Sequence, residues 1–166
     1  MTQGDVFSVV AAIFGIFVTA WATAVALALL CPAAVERARQ AAREPAKVLV
    51  GGFLLTITLG TAGVIMLAAP LPLVKFGGWV VILALLACAS VGLSGIAQSA
   101  GRRIQDLDPT MAAYPAMVRG AAYVVGATIL PILGWFAFGP LLLLASIGAG
   151  SRALTAVANP HRSEAA

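Results

Sequence analysis

Charged residues divide the chain into long apolar runs separated by short polar segments. Three of the runs are long enough to form membrane-spanning helices, because a bilayer core roughly 30 Å thick requires about 20 residues of helix. These runs are Val6 to Leu30, Val48 to Ala69 and Gly77 to Gly101. The pattern predicts three spanning helices in the first two thirds of the chain.

A fourth apolar run, Gly120 to Ser151, is too long for a single crossing. As one helix it would measure about 48 Å, well beyond the bilayer core. Its centre reads "ILPILGWFAFGP", in which prolines and glycines interrupt a helix or start a new one. We therefore predict a helical hairpin, either two short spans or a re-entrant pair, with "GWFAFG" at its tip. The residues assigned to the turn are Pro131, Gly134, Trp135, Gly139 and Pro140.

Composition indicates an integral membrane protein. Hydrophobic residues make up 61% of it, charged residues only 10%, and the mean hydropathy is +1.03. Such a chain cannot fold around an ordinary water-soluble core. We expect an all-α, polytopic transmembrane bundle formed by one domain, 1–166, that ends in a short polar tail, 153–166. The first run is preceded by no basic residue and is longer than the apolar part of a signal peptide, so we expect it to be retained.

Lysine and arginine residues predict the orientation. Short loops that remain in the cytoplasm are usually rich in these residues. The N-terminal tail has no lysine or arginine, and the second loop has only Lys75. The first and third loops carry seven: Arg37, Arg39, Arg43, Lys47, Arg102, Arg103 and Arg119. The N-terminus is then outside, and a hairpin returns Arg152 and Arg162 to the cytoplasmic side.

The first loop, "AAVERARQAAREPAK", also has the pattern of a short amphipathic helix at the membrane surface. Its basic side chains favour contact with anionic lipid headgroups, or with an acidic cytoplasmic partner. The residues assigned to this contact are Arg37, Arg39, Arg43, Lys47, Arg102 and Arg103. In the third loop, Asp106 and Asp108 are typical of a helix-capping turn.

Small residues recur on the third predicted helix, and such residues let helices approach closely in a membrane. Ala84, Cys88, Gly92, Gly95 and Ser99 form a smooth face, and Ser90, Ser94 and Gln98 form a polar stripe beside it. Two interpretations remain open. The face packs within the chain's own bundle, or it receives a helix of another protein.

No catalytic chemistry can be assembled from the sequence. The apolar runs carry no ionisable group at mid-depth, where such groups usually mark proton or ion pathways. Cys31 and Cys88 lack neighbouring histidines, so apolar filler is favoured over metal binding. We expect no enzyme activity, no metal, no nucleic-acid partner and no cofactor beyond lipid or pigment bound at the periphery.

Three sequence segments carry a resemblance to a known group. They are "VLVGGFLLTITLG" after a basic loop, "SGIAQSAGRRI", and "VRGAAYVVGATILPILGWFAFGPLLLLASIGAG". Between Val35 and Ala153 the pattern resembles small bacterial polytopic membrane proteins associated with bactofilins, which are polymer-forming cytoskeletal proteins. The resemblance implies a noncatalytic anchor or adaptor in the bacterial cytoplasmic membrane.

Two further functions are compatible with the sequence. The chain could be an accessory or scaffold subunit whose helices pack against those of a larger complex, for example a photosynthetic or respiratory one. It could instead be an oligomeric conduit for a small solute or lipid, lined by the hairpin. The sequence favours the subunit, because the hairpin has few polar side chains to line a wet path.

Overall fold

The computed structural model describes residues 3–130 and 132–158. In this part of the chain all regular structure is helical. Four helical segments are long and apolar enough to cross a membrane: Phe7–Leu30, Pro45–Ala68, Pro72–Leu107 and Gly134–Ala156. The protein therefore has the architecture of a polytopic membrane protein, as the apolar runs predicted.

The first four helices follow the predicted order, and two of them begin at a proline. The helices are α1 (Gln3–Leu30), α2 (Pro32–Ala41), α3 (Pro45–Leu55) and α4 (Thr61–Ala68). A π-helical turn, Thr56–Gly60, joins α3 to α4, so the pair forms one continuous span. Proline is favoured in a first helical turn, where its missing N–H would have no partner in any case. The helix predicted in the first loop is present as α2, but it ends at Ala41, so Arg43 follows it, and it packs against α5 and α7.

The central helix α5 (Pro72–Leu107) extends beyond the predicted third span at both ends. Its last residues are polar and remain helical in spite of leaving the apolar run. Asp108 ends the helix, and its carboxylate accepts hydrogen bonds from the Thr110 backbone N–H at 3.2 Å and hydroxyl at 2.6 Å. The predicted capping turn is thus present at Asp108.

The last part of the chain is interrupted, but the interruption does not lie at the predicted tip. Helix α6 (Ala113–Gly126) continues into a 3-10 turn, Ala127–Ile129. A π-helical turn, Gly134–Phe138, then leads into α7 (Gly139–Ala158). The "GWFAFG" segment is therefore helical, because helical hydrogen bonding resumes at once: the Gly134 N–H donates to the Leu130 carbonyl at 2.8 Å. Between the 3-10 turn that ends at Ile129 and the helix that resumes at Leu133, the structure describes Leu130 and Ile132, and Pro131 lies outside the described residues.

Helix α5 is the centre of the bundle. It packs against α7 and α6 most extensively, and also against α1, α2 and α4, whereas α6 and α7 are in contact mainly through the turns that join them. Most of the buried residues are small, and the largest of those that are completely buried are Val35, Val48 and Ser94. Helices in lipid usually pack closely through small residues, because the hydrophobic effect contributes little to their association there.

Candidate functional site

The predicted small-residue face of α5 is covered at Gly92 and Gly95 by other helices of the same chain. A Cβ atom at Gly92 would overlap the backbone carbonyl of Ser146 in α7, and one at Gly95 would lie 2.7 Å from the Arg39 backbone nitrogen in α2. The carbonyl of Cys88 likewise occupies the space of a Cβ at Gly150. At these positions the structure supports intramolecular packing. Of the remaining residues on this face, Ala84 is exposed and Ser99 is half-buried.

The two serines of the predicted polar stripe on α5 are satisfied within their own helix. The Ser90 hydroxyl donates to the Leu86 carbonyl at 2.8 Å, and the Ser94 hydroxyl donates to the Ser90 carbonyl at 2.8 Å. The Ser99 hydroxyl donates to the Gly95 carbonyl at 3.0 Å. Such bonds to the preceding turn are a common arrangement for hydroxyl side chains in apolar helices. Gln98 differs, because its Oε1 atom is buried without a hydrogen-bond partner among the described residues.

Two basic residues, Arg39 of α2 and Arg102 of α5, pair with the same carboxylate, that of Glu36. Arg39 is only 9% exposed. Its Nε donates to Glu36 Oε2 at 2.8 Å while its Nη2 bonds to the other carboxylate oxygen, and Arg102 reaches Glu36 at 3.3 Å. The Arg39 hydrogen bond is the main reason that the pKa of Glu36 falls to about 2. The Arg102 pair ties α2 to the end of α5.

A second carboxylate connects the α2–α3 loop to α7. Glu44 pairs with Lys47 at 3.1 Å and with Arg152 at 3.5 Å. The hydrogen bond from Lys47 is the main reason that the pKa of Glu44 is lowered. Among the other residues predicted to dock headgroups or partners, Arg37, Arg43 and Arg103 are exposed. The structure thus places the loop, the end of α5 and the end of α7 at one end of the bundle.

Around the break, two of the predicted residues are in close contact with backbone atoms. Gly134 is buried, and a Cβ there would overlap the carbonyl of Thr128. A Cβ at Gly139 would lie 2.9 Å from the Gly134 carbonyl oxygen. Trp135 and Pro140 are exposed, Trp135 by 59%. The turn is therefore compact on its inner side and presents an aromatic ring on its outer side.

Sequence reasoning missed an open groove between α1, α5 and α7. Its volume is about 740 Å³. The lining is apolar except for four hydroxyl side chains, Thr19, Thr23, Ser90 and Ser146. Thr19 and Thr23 donate to carbonyls of their own helix at 2.7 Å, as Ser90 does. Ser146 is 2% exposed, and its Oγ has no hydrogen-bond partner in the described part of the chain.

A sequence signal for this groove exists on α1. Small residues recur at spacings of three and four positions, which places them on one helix face. They are Ala12, Gly15, Thr19, Ala20 and Thr23. Every residue of that run is uncharged, so the run is recognised as a membrane span. Its small-residue face does not stand out from the other apolar faces of the helix.

The described residues contain no group of three or more His, Cys, Asp or Glu side chains that could hold a metal ion. No family model matches the chain, and neither a curated protein nor a solved structure matches it.

Proposed function

We propose that this chain is a noncatalytic accessory or scaffold subunit that packs against transmembrane helices of a larger bacterial membrane complex. The observation that carries the proposal is the sparse packing of α1. Only 6% of the most apolar window of this span is buried, against 33% in the spans Pro72–Leu107 and Gly134–Ala156. A helix that the chain itself hardly covers is the natural contact for another subunit.

The two halves of α1 differ in their contacts. In the second half, the Trp21 Nε1–H donates to the Val118 carbonyl of α6 at 3.1 Å, and Ala24 is buried in a cluster with residues of α5 and α6. In the first half, Phe7, Val10 and Phe14 are 74%, 58% and 65% exposed. Their spacing of three and four positions places them on one side, here named the outer ridge. Large aromatic side chains of this kind often dominate the energy of protein contacts.

The rest of the bundle supports a structural role. Most intramembrane hydroxyls are satisfied by their own helices, and two carboxylates join α2, α5, α7 and the α2–α3 loop. These pairs also support the predicted topology, because they bring the basic segments to the same end of the bundle. We place that end in the cytoplasm, with the hairpin formed by α6 and α7 returning the C-terminus to it.

Site-specific crosslinking tests the proposal. A benzophenone amino acid replaces Val10 or Phe14 on the outer ridge, and Val64 serves as the control because it is 61% exposed on a different helix. We expect one discrete crosslinked membrane protein from the ridge and none from Val64. Phe14→Ala should lower co-purification of that protein severalfold, whereas Val64→Ala should not.

Two results contradict the proposal. Ridge positions that crosslink only to lipid, in cells that contain the native membrane complexes, argue against a partner on α1. Recovery of a bactofilin-type polymer through the exposed Arg37 and Arg43, with no effect of Phe14→Ala, supports the anchor or adaptor function instead.

A further inference from the structure

A smaller cavity, here named the interfacial pocket, lies where the ends of α1 and α5 meet the start of α6. Its lining includes Leu29 of α1, Gly101, Arg102 and Gln105 of α5, and Ala113 and Tyr114 of α6. We propose that this pocket binds the phosphate of one anionic phospholipid, with Arg102 as the anchoring cation. The inference does not rest on the subunit function proposed for the outer ridge. It gives the headgroup contact expected from the sequence a defined place and a lipid class.

The interfacial pocket lies at the depth of lipid headgroups. Leu29 is the last residue but one of the span Phe7–Leu30, and Gly101 ends the third apolar run, directly before Arg102. Spans end at the boundary between the hydrocarbon core and the headgroups. Leu29 is itself exposed, so an acyl chain can leave the pocket along it. A ligand bound here therefore has its polar part among headgroups and its apolar part in the bilayer.

The volume of the pocket agrees with a headgroup of this size. It is about 280 Å³, which is roughly nine times the share of one molecule in liquid water, about 30 Å³. The pocket therefore has room for a phosphate together with part of the glycerol that carries it. The acyl chains remain outside.

Arg102 brings to the pocket a positive charge that its carboxylate partner does not neutralise. It pairs with Glu36 at 3.3 Å, but both oxygens of that carboxylate are already bound by Arg39. Two guanidinium groups thus share one carboxylate, and the three groups together carry one net positive charge. Only the Nη2 atom of Arg102 is engaged in this pair, so other N–H donors of its guanidinium remain for a ligand.

The rest of the lining favours a phosphate that carries no amine. No carboxylate lines the pocket among the described residues, so the ammonium group of a zwitterionic headgroup finds no partner there. Asp106, one turn further along α5, is not part of the lining. A guanidinium binds phosphate oxygens with parallel N–H donors, and Tyr114 adds a phenol hydroxyl that can donate from α6. The ligand is therefore an anionic phospholipid.

Three variants separate phosphate binding from the stability of the fold. Arg102→Gln removes the proposed anchor. Arg103→Gln is the matched control, because it removes the same charge from the next position, which is exposed and lies outside the pocket. Glu36→Gln breaks the same ion pair as Arg102→Gln but keeps the Arg102 charge. A purely structural role of the pair predicts equal losses from these two variants, whereas phosphate binding predicts a loss from Arg102→Gln alone.

The experiment measures the lipid retained by the full chain in nonionic detergent, by native mass spectrometry. The probes are equal amounts of phosphatidylglycerol and phosphatidylcholine with the same acyl chains. We expect one phosphatidylglycerol per chain to be retained in preference to phosphatidylcholine. Arg102→Gln should weaken this retention by roughly fivefold or more, and Arg103→Gln by at most about twofold. Glu36→Gln should leave it unchanged or raise it, and an excess of inorganic phosphate should not displace the lipid.

Other outcomes overturn the inference. Equal retention of the two lipids, or a loss with Arg102→Gln no larger than that with Arg103→Gln, removes the pocket as a phosphate site. Equal losses with Arg102→Gln and Glu36→Gln assign the ion pair to the fold alone. Displacement by inorganic phosphate makes a soluble phosphate compound the occupant in place of a lipid. If the lipid pattern is as expected but the outer ridge crosslinks to no protein, the proposed subunit function is overturned and this inference stands.

Discussion

At the residue scale, glycines determine how closely the helices approach. Cβ atoms at Gly52, Gly148 and Gly150 would overlap backbone carbonyls of neighbouring helices, as at Gly92. At Gly51, by contrast, nothing lies within 4 Å. The same residue type therefore permits backbone contact at one position and leaves the next open to lipid or to another molecule.

We expect Gly92→Ala and Gly51→Ala to change stability in opposite directions. The first forces α7 away from α5, which should destabilise the fold by about 1–3 kcal/mol, as overpacking usually does. The second adds a good helix former in open space and should stabilise it by up to about 1 kcal/mol. Thermal unfolding in mild detergent measures both. Equal shifts for the two variants would show that the close α5–α7 contact is not formed.

The lowered pKa of Glu36 predicts a loss of stability at low pH. Its pKa in the fold is about 2, below the ordinary value of 4.5, mainly because of the Arg39 hydrogen bond. The folded state thus favours the carboxylate, and the stabilisation is fully present above pH 4.5 and is lost as the pH falls through 2. Because the side chain is one-third exposed, solvent screening limits its value to about 1–2 kcal/mol.

The measurement compares the unfolding midpoints of the native chain and Glu36→Gln between pH 7 and pH 2. Their difference should be constant above pH 4.5 and shrink towards pH 2. Glu44→Gln is the control, since that more exposed carboxylate should give a smaller difference at every pH. A difference for Glu36→Gln that does not depend on pH would contradict the carboxylate's role.

At the element scale, the break between α6 and α7 is held by contact as well as by sequence. Gly134 lies against the Thr128 carbonyl. Gly126 is the last residue of α6, and a Cβ there would make an ordinary contact with Phe17 at 3.8 Å. Glycine is therefore required sterically at the first position and is optional at the second.

Gly134→Ala should accordingly destabilise the fold by about 1–3 kcal/mol, and Gly126→Ala should be neutral or slightly stabilising. Thermal unfolding of both variants, followed by tryptophan fluorescence, checks this directly because Trp135 adjoins the turn. If Gly134→Ala gains stability as Gly126→Ala does, the turn does not depend on close backbone contact.

At the scale of the whole molecule, ion pairs hold distant segments at the same end of the bundle. Arg152 of α7 pairs with Glu44, so the end of α7 and the α2–α3 loop lie on the same side. We expect the basic residues gathered there to decide the orientation in the membrane. The proposed arrangement places this side in the cytoplasm and Lys75 on the outside.

Cysteine labelling in intact cells tests that arrangement. Cys31 and Cys88 are first replaced by Ala, and single cysteines are then placed at Arg43, Lys75 or Thr155, all of which are exposed. An impermeant reagent should modify only the Lys75 position until the membrane is opened. Modification of the Thr155 position together with Lys75 would show that α7 ends outside and that the hairpin does not return.

Much of the fold could be predicted from the sequence because a span depends on local properties. The length and hydropathy of the runs ending at Leu30, Ala69 and Gly101 were sufficient for three helices, and the arginine pattern was sufficient for α2. A span can be predicted without knowing which helices it packs against, because lipid covers any apolar helix of suitable length. The predicted tip at "GWFAFG" was wrong because helical bonding resumes immediately after the break.

The site depended on tertiary structure. Gly92 and Gly15 are both glycines in apolar runs, so the sequence does not distinguish them. Gly92 lies against the Ser146 backbone, whereas Gly15 lines the groove. Arg39 is buried against Glu36, while Arg37 two positions earlier is exposed. Contacts of this kind join residues many positions apart in the chain, and lipid offers little hydrophobic drive to decide between them. Length and hydropathy were thus enough to predict helices that can span a membrane, whereas the close fit of their backbones decides which faces meet and where a groove remains.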